Sequence, residues 1–159
     1  MKLAPVVTAC LFSIVAGSTA IAQPSSPSAM VASAAPTAPS LYKRLGGYDA
    51  LAAVTDDFLQ RMVGDAQFAR FFGGHSSDSL KKIRQHIVDQ LCTATGGPCV
   101  YIGRDMKTVH GGLGITEKDW DVSVKHLVAT LDKFTVPMKE KDEVLGALGS
   151  LKKDIVEKP

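Results

Sequence analysis

The most informative stretch of this chain is Met106-Lys107-Thr108-Val109-His110-Gly111-Gly112-Leu113-Gly114-Ile115. The spacing of Met106, Val109 and His110 predicts a short helix, and the paired glycines after His110 are typical of a helix end. An imidazole at such a position is a candidate metal ligand. An isolated histidine beside a glycine-rich turn is more often structural, so the interpretation of His110 depends on the surrounding sequence.

Three amphipathic helices are predicted around this stretch, because apolar residues recur there every three or four positions. The first covers 49–63, and the second covers 80–91 with Ser77-Asp78-Ser79 as its capping cluster. The third starts after the cap residue Thr116 and extends to Leu131.

Shorter segments connect these helices. The aromatic segment 68–72 is expected to form a short turn, and 93–103 an irregular connection. Val136-Pro137 opens a last helix, whose apolar residues continue at helical spacing to Ile155. No segment alternates with a period of two, so the sequence predicts an all-α domain.

The composition supports one globular domain. The chain has 159 residues, of which 45% are hydrophobic and 21% charged, with a formal net charge of +2. This length provides a substantial core, and the small charge excess argues against a nucleic-acid partner.

The first residues have the features of a secretory signal peptide. An uncharged apolar run from Val6 to Ile21 follows Lys2, and Ala20-Ile21-Ala22 has the small residues of a cleavage site. A transmembrane anchor is the alternative, but Gly17-Ser18-Thr19 weakens the run and leaves it short for a membrane span. We therefore expect a signal peptide over 1–22, export to the periplasm, and no stable membrane span after cleavage.

The next segment, 23–40, consists almost entirely of Ala, Pro and Ser. Such a composition offers little apolar surface to bury, so we expect a flexible linker. The functional domain is therefore expected over 41–158.

Several short motifs occur in a fixed order along this domain. They are Leu45-Gly46-Gly47, Asp57-Phe58, Phe71-Phe72, Gly96-Gly97-Pro98, Tyr101-x-Gly103, Met106-Lys107, His110-x-Gly112-x-Gly114-Ile115 and Val136-Pro137. Each motif alone is weak, but the ordered set resembles the group I truncated haemoglobins. That family has the two-over-two helical variant of the globin fold.

The resemblance implies that the cofactor is haem b (iron protoporphyrin IX), with His110 as the proximal ligand of the iron. It also implies contacts between the porphyrin and the side chains of Phe58, Phe72, Tyr101 and Met106. Arg104 or Lys107 can neutralise a haem propionate. Taken singly, the apolar residues also fit ordinary core packing, and the two cations also fit a solvated surface.

The distal side departs from the family at Leu59, where many members carry a tyrosine whose hydroxyl holds bound oxygen. Oxygen retention must then depend on another donor, or be weaker.

The register of the second helix is open, because the segment between Phe72 and Gly96 is about three residues longer than in the family. In one register the residues that face the iron are Leu80, Arg84, Ile87 and Val88. In the other they are Ile83, Ile87 and Leu91, with His86 near the rim. His86 is then a sixth ligand or a distal gate, although we prefer to interpret it as a solvent-facing residue. We prefer the first register, whose stripe is tighter.

Two cysteines, Cys92 and Cys99, follow the predicted signal peptide. In an oxidising compartment they can close a small disulfide loop. Alternatively, Cys92 is a buried apolar residue and Cys99 a free thiol.

The resemblance implies reversible binding of oxygen or another diatomic gas, and oxidation of nitric oxide in the manner of a nitric oxide dioxygenase. Such turnover needs an external electron donor or reductase, because the chain has no flavin or nicotinamide motif. The first alternative is a six-coordinate haem protein for electron transfer, with iron held by His110 and His86. The second is a helical binding domain without haem.

Overall fold

The fold is all-α in a computed structural model that describes residues 38–158. Its helices are α1 (Leu41–Arg44), α2 (Gly47–Gly64), α3 (Ala69–Phe72), α4 (Ser77–Ala94), α5 (Met106–His110), α6 (Glu117–Lys133), α7 (Met138–Gly149) and α8 (Lys152–Ile155). A 3₁₀ turn over Ala66–Phe68 precedes α3. Within the described residues the β-type pairing is a single bridge between Thr116 and Lys158, so the all-α prediction is confirmed.

The predicted signal peptide (1–22) and residues 23–37 of the predicted linker lie outside the described residues. Among the helices of residues 38–158, we find none with the length and apolar character needed to span a membrane.

Helix α4 starts and ends differently from the prediction. Its N-cap is Ser76, whose hydroxyl accepts a hydrogen bond from the Ser79 N–H at 3.2 Å, rather than a residue of the predicted cluster. The helix also continues past Leu91 to Ala94, because Cys92 and Thr95 extend its buried face. The cap predicted for α6 is confirmed, since Thr116 and Asp119 form a reciprocal capping box.

The prediction of a single last helix from Val136-Pro137 to Ile155 is wrong, because the structure has two helices there, α7 and α8. The break follows Gly149, a weak helix former, and the Leu151 N–H bonds the Leu148 carbonyl oxygen at 2.9 Å in a tighter turn.

The four long helices form two pairs, α2 with α4 and α6 with α7, and α2 also packs against α6. One cluster of buried apolar side chains lies in the half that contains α6 and α7, formed by Val54, Leu127, Leu131 and Val144. A second cluster joins α2 to α4 through Leu51, Leu91 and Cys92. These clusters leave α5 outside the main core, where it contacts α8.

A buried carboxylate connects α2 to α6. Asp57 accepts hydrogen bonds from Lys133 Nζ at 2.5 Å, Arg61 Nε at 2.7 Å and the Thr130 hydroxyl at 2.8 Å. The bonds from Lys133 and then Arg61 hold the pKa of Asp57 well below its usual range. The motif residue before Phe58 is therefore a structural link between two long helices.

The turn between α6 and α7 closes with a non-glycine residue at positive φ, Thr135 (φ 55°). The Val136 N–H bonds the Leu131 carbonyl at 3.0 Å, and the Thr135 N–H bonds the Asp132 carbonyl at 2.9 Å. These two bonds define a Schellman motif, with Thr135 at the position where glycine is usual.

Candidate functional site

His110 is the last residue of α5, and its ring is fixed by its own helix. Nδ1 lies 2.8 Å from the backbone carbonyl oxygen of Met106, one turn earlier. Because a carbonyl oxygen only accepts, Nδ1 carries the proton and donates it. The lone pair of the neutral ring is then on Nε2, and the half-buried side chain is ready to ligate a metal through that atom.

The start of α5 is held by Asp105, a residue that is not among the predicted site residues. Its carboxylate accepts hydrogen bonds from the Thr108 N–H at 2.9 Å and the Thr108 hydroxyl at 2.7 Å. The bonds from Thr108 lower the pKa of Asp105. An aspartate directly before a segment with helical apolar periodicity is a standard N-cap signal, so the role of Asp105 could have been predicted from the sequence.

The end of α5 leads into residues 111–114, which we call the post-histidine loop. Gly112 (φ +83°) and Gly114 (φ +64°) both have left-handed backbone conformations. Their N–H groups donate to the two carboxylate oxygens of Glu157, each at 2.5 Å. The bonds from Gly112 and then Gly114 lower the pKa of Glu157. No local sequence signal points to Glu157, since it lies 45 positions from Gly112.

Tyr101 lies between the end of α4 and α5. Its hydroxyl donates to the Arg104 carbonyl oxygen at 2.7 Å. Its ring is edge-on to the His86 ring, with centroids 6.0 Å apart and planes at 75°. Burial, followed by the nearby charge of Asp105, raises the pKa of Tyr101.

A cleft of about 440 Å³ lies beside α5 and contains several of the predicted site residues. It is lined by Gln90, Tyr101, Asp105, Met106, Lys107, Leu151 and Asp154. Its volume is within the range of small-molecule sites. Tyr101, Met106 and Lys107 thus line one cleft, whereas Arg104 is not among its lining residues.

The residues of α4 that were predicted to face the iron have different surroundings. Arg84 makes two hydrogen bonds to Asp56 of α2, at 2.5 and 2.9 Å, and Val88 is completely buried. The predicted pocket residues Leu80 and Ile87 are half-buried, and His86 is exposed. Arg84 therefore forms an ion pair with α2. Its location beside the iron and the register of the helix remain predictions.

The aromatic residues predicted for the pocket occupy different surroundings. Phe58 packs against the buried cluster formed by Val54, Leu127, Leu131 and Val144. Leu59 and Phe72 are half-buried on α2 and α3. Their contacts with a porphyrin remain predictions.

Cys92 and Cys99 form a disulfide, with Cα atoms 5.8 Å apart. Cys92 lies in the last turn of α4 and is completely buried. Cys99 belongs to the connection that leads to Tyr101 and α5. The bond therefore ties the end of α4 to the segment that carries the histidine helix.

Comparison with known proteins places this arrangement in a family. A family profile described as "Bacterial-like globin" matches residues 40–157. A group 1 truncated haemoglobin of Mycolicibacterium paratuberculosis is 37% identical over 116 residues, which are 73% of this chain and 83% of the relative.

Two solved structures are also similar. The 2/2 haemoglobin of Synechococcus sp. PCC 7002, in the cyanomet state with covalently attached haem, is 30% identical with a TM-score of 0.67. The truncated haemoglobin of Tetrahymena pyriformis in its Fe(III) form is 25% identical with a TM-score of 0.68. Each match covers 74% of this chain and 98% of the other, and confirms the two-over-two fold. The chain therefore belongs to the bacterial-like globins and, within them, to the group 1 truncated haemoglobins.

Proposed function

We propose that this protein binds haem b through His110 and uses it for the reversible binding of oxygen or another diatomic gas. The observation that carries the proposal is the hydrogen bond from His110 Nδ1 to the Met106 carbonyl oxygen, at 2.8 Å. It fixes the tautomer with the lone pair on Nε2, orients the ring, and increases its basicity as a ligand.

The cleft beside α5 suits the polar edge of a haem rather than its apolar face, because its lining residues are mostly polar and do not include His110. The cleft beside α5 offers the thioether of Met106 and the ring of Tyr101, with Lys107 at its edge. We propose that Lys107 or Arg104 neutralises a propionate, since both side chains are exposed near α5. The other residues proposed to hold the haem are Phe58, Leu59, Phe72, Leu80, Arg84, Ile87 and Val88.

When bound, haem supplies an iron that takes diatomic ligands and exchanges single electrons. The chain contributes the ligand nitrogen, the exclusion of water by half-buried apolar side chains, and the distal environment. In that environment Leu59 presents a branched aliphatic group, which can shield a bound gas but cannot donate a hydrogen bond. We therefore rank gas binding above efficient turnover.

Oxidation of nitric oxide is a further reaction that we propose for the same pocket. Its balance is NO + O₂ + e⁻ → NO₃⁻, so each turnover consumes one electron. An external electron donor or reductase must supply it.

The test is an absorption spectrum of the protein purified from haem-replete cells, in the ferric and ferrous states. We expect a Soret band in the wild type and its loss or a marked shift in His110→Ala. The control is His75→Ala, which removes an exposed histidine from the connection between α3 and α4 and should leave the spectrum unchanged. A colourless wild type, even after haem is added, would refute the proposal and favour a binding domain without haem.

An electron-transfer protein is the second candidate function, supported by the position of the His86 ring, whose centroid is 6.0 Å from that of Tyr101 in the cleft beside α5. It requires His86 as a second ligand of the iron. A six-coordinate low-spin ferrous spectrum that disappears in His86→Ala would support it, whereas a five-coordinate ferrous spectrum supports gas binding.

We also propose that the protein is exported to the periplasm after cleavage following Ala22. The charge-free apolar run of the first residues supports this proposal, and the Cys92–Cys99 disulfide suits an oxidising compartment. Mass spectrometry of the protein from separated cell fractions tests it. Recovery of the protein mainly in the cytoplasmic fraction, as an uncleaved chain that still begins at Met1, would contradict the proposal.

A further inference from the structure

The post-histidine loop forms a small anion-binding concavity. The left-handed backbone at Gly112 and Gly114 turns both of their N–H groups to the same side. The anion that they bind is Glu157 of the same chain, with one carboxylate oxygen on each N–H at 2.5 Å. Bonds of this kind to a carboxylate are about twice as strong as neutral ones.

The backbone beside Glu157 is anchored independently of its side chain. The Glu157 and Lys158 N–H groups both donate to the Ile115 carbonyl oxygen, at 2.8 and 3.2 Å, and the Glu117 N–H donates to the Lys158 carbonyl at 3.1 Å. A change of the Glu157 side chain therefore removes the bonds to the loop and leaves the pairing of the tail in place.

Helix α5 needs such support from outside. It has five residues, and an isolated helix of that length is unstable in water. Asp105 holds its start, and the post-histidine loop begins directly after His110 at its end. The position of the His110 ring thus depends on one carboxylate at each end of the helix.

We propose that Glu157 is a positioning residue for His110, which makes the C-terminal tail part of the apparatus that holds haem. The inference rests on the proposed function. Glu157 does not touch the cofactor; it fixes the loop that sets where the histidine helix ends.

The experiment uses the full-length haem-loaded protein and the variants Glu157→Ala and Glu157→Gln. Three quantities are measured: the exchange rates of the Gly112 and Gly114 amides, the iron–histidine stretching band of the ferrous form, and the rate of haem transfer to excess apomyoglobin. The glutamine variant keeps the size of the side chain but loses its charge and one acceptor.

We expect both variants to shift the iron–histidine band. In both variants the Gly112 and Gly114 amides should exchange faster, and haem should be lost at least about tenfold faster. Tenfold is the effect of losing one charge-assisted hydrogen bond, and Glu157→Ala loses two. The matched control is Glu117→Gln, which removes a surface carboxylate that pairs with Lys152 of α8 and does not bond the loop. It should leave all three measurements at their wild-type values.

An unchanged iron–histidine band and an unchanged rate of haem loss in Glu157→Ala would overturn the inference, even if the amides exchanged faster. An equal change in Glu117→Gln would also overturn it, because the effect would then belong to the packing of α8. A wild type that takes up no haem would instead refute the proposed function.

Discussion

At the scale of single residues, the proposed distal position of Leu59 leads to a prediction about how the pocket holds a bound gas. We predict that Leu59→Tyr slows oxygen dissociation by about tenfold, because a hydrogen bond to a partly charged ligand contributes about 1.5–3 kcal/mol. Stopped-flow measurement of the dissociation rate checks this. The control is Leu59→Phe, which adds the ring without the hydroxyl, and equal slowing in both variants would contradict the prediction.

The residues of the site differ in how far the sequence could predict them. His110 and its five-residue helix were predictable, because periodicity and paired glycines are local signals. Two contacts of the site region were not predictable: Gly112 bonds Glu157, 45 positions away, and Arg84 bonds Asp56, 28 positions away. No spacing rule joins such positions, since their contact depends on how whole helices pack.

At the scale of elements, Asp57 makes the contact between α2 and α6 dependent on pH. The bonds from Lys133 and Arg61 lower its pKa, so the unfolded chain takes up a proton at a higher pH than the folded protein. The stabilisation is complete above the unfolded pKa of about 3.9 and is lost as the pH falls through the folded value.

We therefore predict that Asp57→Asn lowers the free energy of unfolding by about 2 kcal/mol at pH 7 and flattens its decline below about pH 4. Denaturant unfolding at pH 7 and pH 3 measures both effects. Part of the acid sensitivity should remain, because the pKa of Asp119 is lowered as well. Burial is the largest single effect and raises this pKa, but the hydrogen bonds from Thr116, Gln67 and Arg70 together lower it by more. An unchanged pH profile would contradict the prediction.

The disulfide acts on the connection between α4 and α5. Cys92 and Cys99 are separated by 7 positions, and a loop of that size is expected to contribute about 2–3 kcal/mol to stability. We predict that Cys92→Ser with Cys99→Ser lowers the free energy of unfolding by about that amount, measured with denaturant. A reductant should destabilise the wild type and have no effect on the double variant. Two free thiols in the untreated protein would contradict the prediction.

At the scale of the whole molecule, a ligand that binds only the folded state stabilises it. We predict that saturation with haem at about a thousand times its dissociation constant raises the free energy of unfolding by about 4 kcal/mol. Calorimetry of the haem-free and haem-loaded protein measures this gain. The gain should largely disappear in His110→Ala and persist in His75→Ala.

The architecture of the whole domain was more predictable from sequence than its interior contacts. Apolar periodicity located α2 and α5, and the Thr116 cap located the start of α6. Helix α2 extends slightly beyond the predicted 49–63 at both ends, and α6 continues past Leu131 to Lys133. The division of the last helix was missed, because Leu151 and Ile155 keep helical spacing across the break. Periodicity records which face is apolar and does not register a local tightening of the backbone.

The turn at Thr135 is a site where a single substitution can increase the thermal stability of this domain. A β-branched residue in the left-handed region carries conformational strain that glycine would not. We predict that Thr135→Gly raises the free energy of unfolding by about 1 kcal/mol, a net of relieved strain and the greater freedom of the unfolded chain. The neighbouring exposed Phe134 is not strained, so Phe134→Gly should destabilise. The hydrogen bonds of this turn go to Leu131 and Asp132 rather than to α5 or the post-histidine loop, so heat resistance can be engineered here without altering the chemistry of the pocket.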